Sequence, residues 1–161
     1  MRGNLALSFF EGFAGCDRLP LVAVSDAQLD RLAAAHDVLA LYLFGSPADE
    51  GRALLEGRSV AATGSDLDIG VVFRSAAFDH HRLGSLQVAL EDRFAPLRVD
   101  LVPLQRVDAL LQYSAIDGHR ITATDSTAAD FYELAVMRRA AELLPIEREL
   151  QARLFGQAAQ P

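Results

Sequence analysis

Residues 38–44 read VLALYLF, an unbroken apolar run of strand length. A strand with one face in water alternates polar and apolar side chains, so a run like this demands cover on both faces. The flanking sequence can supply it. SDAQLDRLAAAH, residues 25–36, opens on a capping box, Ser25 with Gln28 three residues on, and carries Leu29, Leu32 and Ala33 at helical spacing. LDIGVVF at 67–73 reads as a second strand, GSLQVALEDRF at 84–94 as an amphipathic helix, and LRVDLV at 97–102 as a third strand stopped by Pro103. Residues 105–117 read as another helix with Gly118 as its C-terminal cap, RITAT at 120–124 as a short edge strand, and the remainder as two helices, about 127–144 and 146–155, parted by Pro145. Strands alternating with helices predict an α/β, or mixed α+β, domain with helices packed on a sheet.

At 161 residues and 51 % hydrophobic composition, with 23 % charged residues, the chain has the means to bury a core without disulfides or metals. One domain is expected over 25–161, with 1–24 as an extension of it. The net charge of −7 argues against direct nucleic-acid binding, which draws its affinity from Lys and Arg on phosphates. No apolar run approaches the roughly 18 residues that cross a bilayer. FAGC at 13–16 resembles a lipoprotein cleavage site, but the preceding NLALSFFEGF is short and broken by Glu11. Cys16 is the one cysteine, which fits a reducing cytoplasm.

The chemistry lies where acids interrupt apolar strands. In SDLDIGVVF, Asp66, Asp68, Gly70 and Val72 share one strand face, and Leu67, Ile69, Val71 and Phe73 the other. Two carboxylates at about 4 Å and an effective dielectric near 20 repel by roughly 4 kcal/mol, so a shared proton, an arginine or a divalent metal must offset them. RVDLV adds Asp100, on the face opposite Val99 and Leu101. Three hard oxygen ligands on two strands suit Mg²⁺, which takes its remaining ligands from water and substrate phosphates. FGSP at 44–47 follows the first strand: Gly45 allows close backbone approach, Ser46 is placed as an N-cap and Pro47 as the first helical residue, so the helix start can face phosphates.

An apolar strand ending in Gly-Ser, a helix, Ser-Asp-x-Asp opening a second strand and a lone Asp in a third resemble the nucleotidyltransferase superfamily of DNA polymerase β type, and its minimal members most closely. The likeness spans residues 25 to about 145, including LLQYSAIDGHRITATDSTAADFYELAVMRRAAELLP, which is similar to the end of minimal nucleotidyltransferases acting as antitoxins beside HEPN ribonuclease toxins. It implies a small mixed sheet flanked by helices. It also implies a nucleoside triphosphate held at Gly45 and Ser46, with Ser65 beside it, and Mg²⁺ on Asp66, Asp68 and Asp100, which are the catalytic acids. Asp66 and Asp68 would bridge two metals; Asp100 would serve the nucleophile side and help draw its proton. The implied reaction transfers AMP from ATP to a tyrosine of a HEPN toxin, in a hetero-oligomer with that partner. The alternatives are an antitoxin that acts by binding alone and a nucleotidyltransferase of the aminoglycoside-modifying kind.

The chain departs from that pattern at two places. Pro47, Asp49 and Glu50 stand where relatives often have a basic residue after Gly-Ser, which leaves Arg52 as a substitute phosphate contact. The segment before Asp66 is long, and 56–64, EGRSVAATG, reads as an inserted loop rather than a lid or partner contact. His80 and His81 read as an exposed turn, Arg74 and Arg82 as surface residues near the site strand, and His119 and Arg120 as exposed. Phe131, Leu134, Ala135 and Leu143 read as one helix face, core or interface.

Overall fold

The computed structural model describes residues 27–61, 66–75 and 79–155. In chain order these form α1 (Ala27–Ala35), β1 (Val38–Phe44), α2 (Ala48–Leu55), β2 (Leu67–Phe73), α3 (His80–Phe94), β3 (Val99–Pro103), a 3-10 turn at Leu104–Arg106, α4 (Ala109–Asp117), β4 (His119–Ala123) and α5 (Ser126–Phe155). The strands make one mixed sheet in the order β3-β2-β1-β4, with β1 antiparallel to both neighbours and β2 parallel to β3. The α/β expectation is met. Ser25, Ser65, Cys16 and residues 1–24 lie outside the described residues.

The apolar run of β1 is covered on both faces, as its composition requires. Val38, Leu41 and Leu43 join Leu29 and Ala33 of α1 and Leu86, Leu90 and Phe94 of α3 in one buried cluster. Ala40, Tyr42 and Phe44 point the other way, into a cluster with Leu104, Ala115, Ile116, Ala129 and Val136 from the 3-10 turn, α4 and α5. The Tyr42 hydroxyl, buried in this second layer, donates to Glu133 at 3.0 Å, and Glu133 also accepts from Arg120 at 3.1 Å. Burial and the neighbouring Glu133 carboxylate push the Tyr42 phenol far above its usual range. Together these contacts tie β1, β4 and α5.

Several element boundaries differ from the sequence expectation, each for a visible reason. Helix α3 begins at His80, not Gly84, because Asp79 caps it: its carboxylate accepts from the backbone N–H groups of His81 and Arg82. His80 and His81 are therefore exposed residues of a first helical turn. Helix α4 begins only at Ala109, since Asp108 accepts from the N–H groups of Leu110 and Leu111 and restarts the chain after the 3-10 turn. Ahead of it, Gln105 takes a strand's place beside Phe73, accepting from its N–H at 3.2 Å and donating to its carbonyl at 2.7 Å.

The largest correction concerns Pro145, which parts no helices: α5 runs unbroken through it for 30 residues. Proline removes one N–H, and Ala141, whose carbonyl would have received it, is exposed and can turn to water. The buried stripe of α5, Ala129, Val136 and Ala140, continues at the same three-and-four spacing as Leu143, Leu150 and Leu154, all exposed. Phe131 and Leu134, 68 % and 61 % exposed, form a second uncovered patch, so the face expected to be core or interface is not core.

Candidate functional site

Because β1 runs opposite to the other three strands, its C-terminal end lies beside the starts of β2, β3 and β4. That single sheet edge collects Gly45 and Ser46 after β1, Asp68 at the start of β2, Asp100 in β3 and His119 at the start of β4. Asp68 is the direct register partner of Asp100 on one side and of Phe44 on the other, and His119 is the partner of Leu43. With strands about 4.8 Å apart, the line from Asp100 to His119 covers some 15 Å.

The period-two reading places Asp68 and Asp100 on the same sheet face, that of α4 and α5, because Leu67, Ile69, Val99 and Leu101 all fill the opposite cluster. Asp66 lies just before β2 and is exposed, with its carboxylate 3.6 Å from the Arg98 guanidinium. Both members of that pair face water, so it offsets little. Asp68 has no such ion pair among the described residues and is half-buried. Burial first, then the nearby Asp100 and Asp66 carboxylates, hold its carboxyl above the usual range.

Gly45 is required by geometry at this point. Its φ of +76° suits glycine, and a Cβ there would lie 2.5 Å from the Asp68 Oδ2. The Gly-Ser turn thus lies against the Asp68 carboxylate. The expected N-cap does not form. Helix α2 starts at Ala48 with Pro47 in the cap position and no side-chain cap bond, and the Ala48 N–H reaches the Gly45 carbonyl at 3.4 Å. The left-handed turn at Gly45 uses up the residues that Ser46 would have needed to cap the helix.

Other expected contacts fall elsewhere. Arg52 is drawn along its own helix, 3.9 Å from Asp49 and 3.6 Å from Glu56. Arg74 and Arg82 lie at the far end of β2, roughly 20 Å from the acids at strand rise, where Arg74 donates to Thr124 and Arg82 to Asp37. Arg120 is not exposed but bound by Asp130 and Glu133.

On the β4 side of Gly45 a cleft of about 380 Å³ opens, lined by Gly45, Ser46, Asp49, Ser114, Asp117 and His119 among others. Its histidine was expected to be exposed and is largely covered. Nε2 lies 3.5 Å from the Asp49 carboxylate, while Nδ1 is shielded from water and has no hydrogen-bond partner among the described residues. Gly118 is the reason: it does not make a left-handed cap, having φ −74°, but a Cβ there would run into the Leu43 carbonyl oxygen. This close approach packs the end of α4 and the start of β4 against β1. Ser114 and Asp117, three apart on the last turn of α4, were the available sequence signal for this wall.

Three carboxylates, two of them paired across parallel strands and one raised by burial and then by the others' charge, are the donor chemistry that a hard divalent cation relieves. Among the described residues, no three acidic or metal-binding side chains are already drawn together as a cage. By residue type and strand placement Asp66, Asp68 and Asp100 suit a hard divalent cation such as Mg²⁺.

A mixed sheet carrying Gly-Ser and strand acids at one edge defines a nucleotidyltransferase. The profile of the family Polymerase beta, Nucleotidyltransferase matches residues 28–127, and the chain belongs to that family. Solved structures share the fold at low identity. One is a mutant of the toxin–antitoxin pair MntA-HpeT, 17 % identical over 80 % of this chain and 99 % of that one, TM-score 0.55. Another is a toxin–antitoxin with AMP-PNP, at 18 % identity over 78 % and 98 %, TM-score 0.53. A third is a tri-AMPylated Shewanella oneidensis HEPN toxin in complex with MNT antitoxin, at 17 % over 78 % and 95 %, TM-score 0.51. No curated protein matches the chain. Among the described residues no helix is long and apolar enough to cross a membrane.

Proposed function

We propose that the chain is the antitoxin of a HEPN toxin pair and transfers AMP from ATP to a hydroxyl, a tyrosine's, of that toxin. The observation that carries this is the register pairing of Asp68 with Asp100 while Gly45 abuts Asp68, which puts acids and phosphate holder within one strand spacing of each other. Asp66, Asp68 and Asp100 would hold Mg²⁺, which when bound screens the phosphates and steadies the departing pyrophosphate. Gly45 and Ser46 bind the triphosphate through backbone and hydroxyl, and Ser65 is proposed to join them. The acceptor oxygen attacks the α-phosphorus, the bond to the bridging α–β oxygen breaks, and pyrophosphate leaves. Asp100, on the outer strand, takes the hydroxyl proton.

A protein acceptor is favoured over a small molecule by α5, whose exposed Leu143, Leu150 and Leu154 continue a buried stripe and offer a second helical protein a face to pack on. Incubation of the purified chain with its toxin, ATP and Mg²⁺ should add the mass of one or more AMP groups to the toxin. No added mass under varied metal and nucleotide would leave neutralisation by binding alone, a reading favoured by Asp49 and Glu50 in the first turn of α2, where they oppose a triphosphate.

A further inference from the structure

We infer that Tyr42 is a positioning residue for the Gly45–Ser46 turn, which it anchors through Glu133 to α5. The inference rests on the nucleotidyltransferase reading and goes beyond it by giving a task to a buried side chain outside the Gly-Ser and acid positions. Tyr42 stands three residues before Gly45, fully buried, on the face of β1 that α4 and α5 cover. Its hydroxyl donates to Glu133 at 3.0 Å. Arg120, its register partner on β4, donates to the same carboxylate at 3.1 Å and to Asp130 at 2.6 Å. Glu133 and Asp130, three apart on α5, thus clasp β1 and β4 from one helix turn.

Core packing alone does not require this arrangement. A phenylalanine fills nearly the same volume with no hydroxyl to satisfy, and replacing both partners of a buried hydrogen bond by apolar groups of the same shape can be close to neutral for stability. What the network adds is a single geometry, since its bonds hold in one arrangement where apolar contacts tolerate sliding. β1 needs that at this point. Its pairing with β4 shifts between Leu41 and Tyr42, so on that side the ladder before the shift does not set the position of the residues after it. Those residues lead straight into the turn, and the turn has little latitude: Gly45 sits so close to Asp68 that a Cβ would lie 2.5 Å from its Oδ2. A displacement of about 1 Å at a reacting site can cost on the order of a hundredfold. The Tyr42 bond to α5 supplies the fixed point that the irregular ladder lacks.

The test measures AMP-PNP binding with Mg²⁺ by calorimetry, at a temperature where every chain is fully folded. It compares wild type, Tyr42→Phe, Glu133→Gln, Glu133→Ala and the double variant Tyr42→Phe/Glu133→Ala. Tyr42→Phe and Glu133→Ala should each weaken AMP-PNP by about tenfold, the scale of one lost hydrogen bond in a covered site, and the double variant should lose no more than either. Glu133→Gln should bind as wild type does, because its amide oxygen still accepts from the phenol. Should Glu133→Ala fail to fold, Tyr42→Phe, which removes one oxygen, and Glu133→Gln carry the test. Wild-type affinity in Tyr42→Phe overturns the assignment. So do additive losses in the double variant, or a loss in Glu133→Gln equal to that in Tyr42→Phe, which would make the charge rather than the bond responsible. Failure of wild type to bind AMP-PNP removes the nucleotide reading itself, and this assignment with it.

Discussion

The two sides of the turn at Gly45 hold opposite kinds of tension. Toward β3, Asp68 and Asp100 crowd like charges together, and burial raises the cost. Toward β4, His119 has too few partners rather than too many charges. A cation relieves the first and a neutral hydrogen-bonding group the second. One glycine separates them.

The most severe break in this pairing is Asp68→Asn, which removes the shared acid. Transfer of labelled AMP to the toxin should fall on the order of a thousandfold, while the metal-free melt holds or rises slightly because repulsion is relieved. Full activity in this variant would move the metal site elsewhere. Gly118→Ala strikes the cleft side through packing. Its methyl would meet the Leu43 carbonyl, so chemical denaturation should show a loss of about 3 kcal/mol, the upper range for overpacking. A smaller cost comes from Gly45→Ala, about 1–2 kcal/mol for a left-handed alanine, with weakened nucleotide binding because the new methyl displaces the Asp68 carboxylate.

The gentlest probe is pH. The folded chain holds the Asp68 proton more tightly than the unfolded chain does, since burial and its acidic neighbours raise it in the fold. The contribution of Asp68 to metal-free stability is therefore fully present below the unfolded value near 4 and lost as pH rises through the raised folded value. The difference in melt between wild type and Asp68→Asn across that window should show this dependence without Mg²⁺ and lose it when Mg²⁺ is added; a difference of the opposite sign would sink the repulsion argument.

The acid side was legible because its signal is local. Asp66 and Asp68 two apart, or Asp100 between Val99 and Leu101, declare a strand face by parity alone, and VLALYLF declares a strand covered on both sides. The cleft side was hidden because Ser114, Asp117 and His119 meet Asp49 only after β4 returns beside β1, a contact about 70 residues apart in the chain. Gly118 does cap α4, as its position after the helix indicates, but not in a left-handed conformation. A glycine after a helix usually signals a left-handed cap, whereas here the constraint is a distant carbonyl. Pro145 misled in a third way, since helix-breaking tendency yields where the freed carbonyl is in water.

That unbroken α5 also sets a distance. At 1.5 Å per residue its 30 residues reach roughly 45 Å, longer than a small domain is wide, and the exposed leucines are concentrated toward its far end. A toxin gripped there, as the proposed function has it, would be held on a stiff outrigger. Only a hydroxyl on a part of that toxin able to span back to the sheet edge would then be modified, so under the proposed function the helix would work as a ruler that chooses which tyrosine is reached.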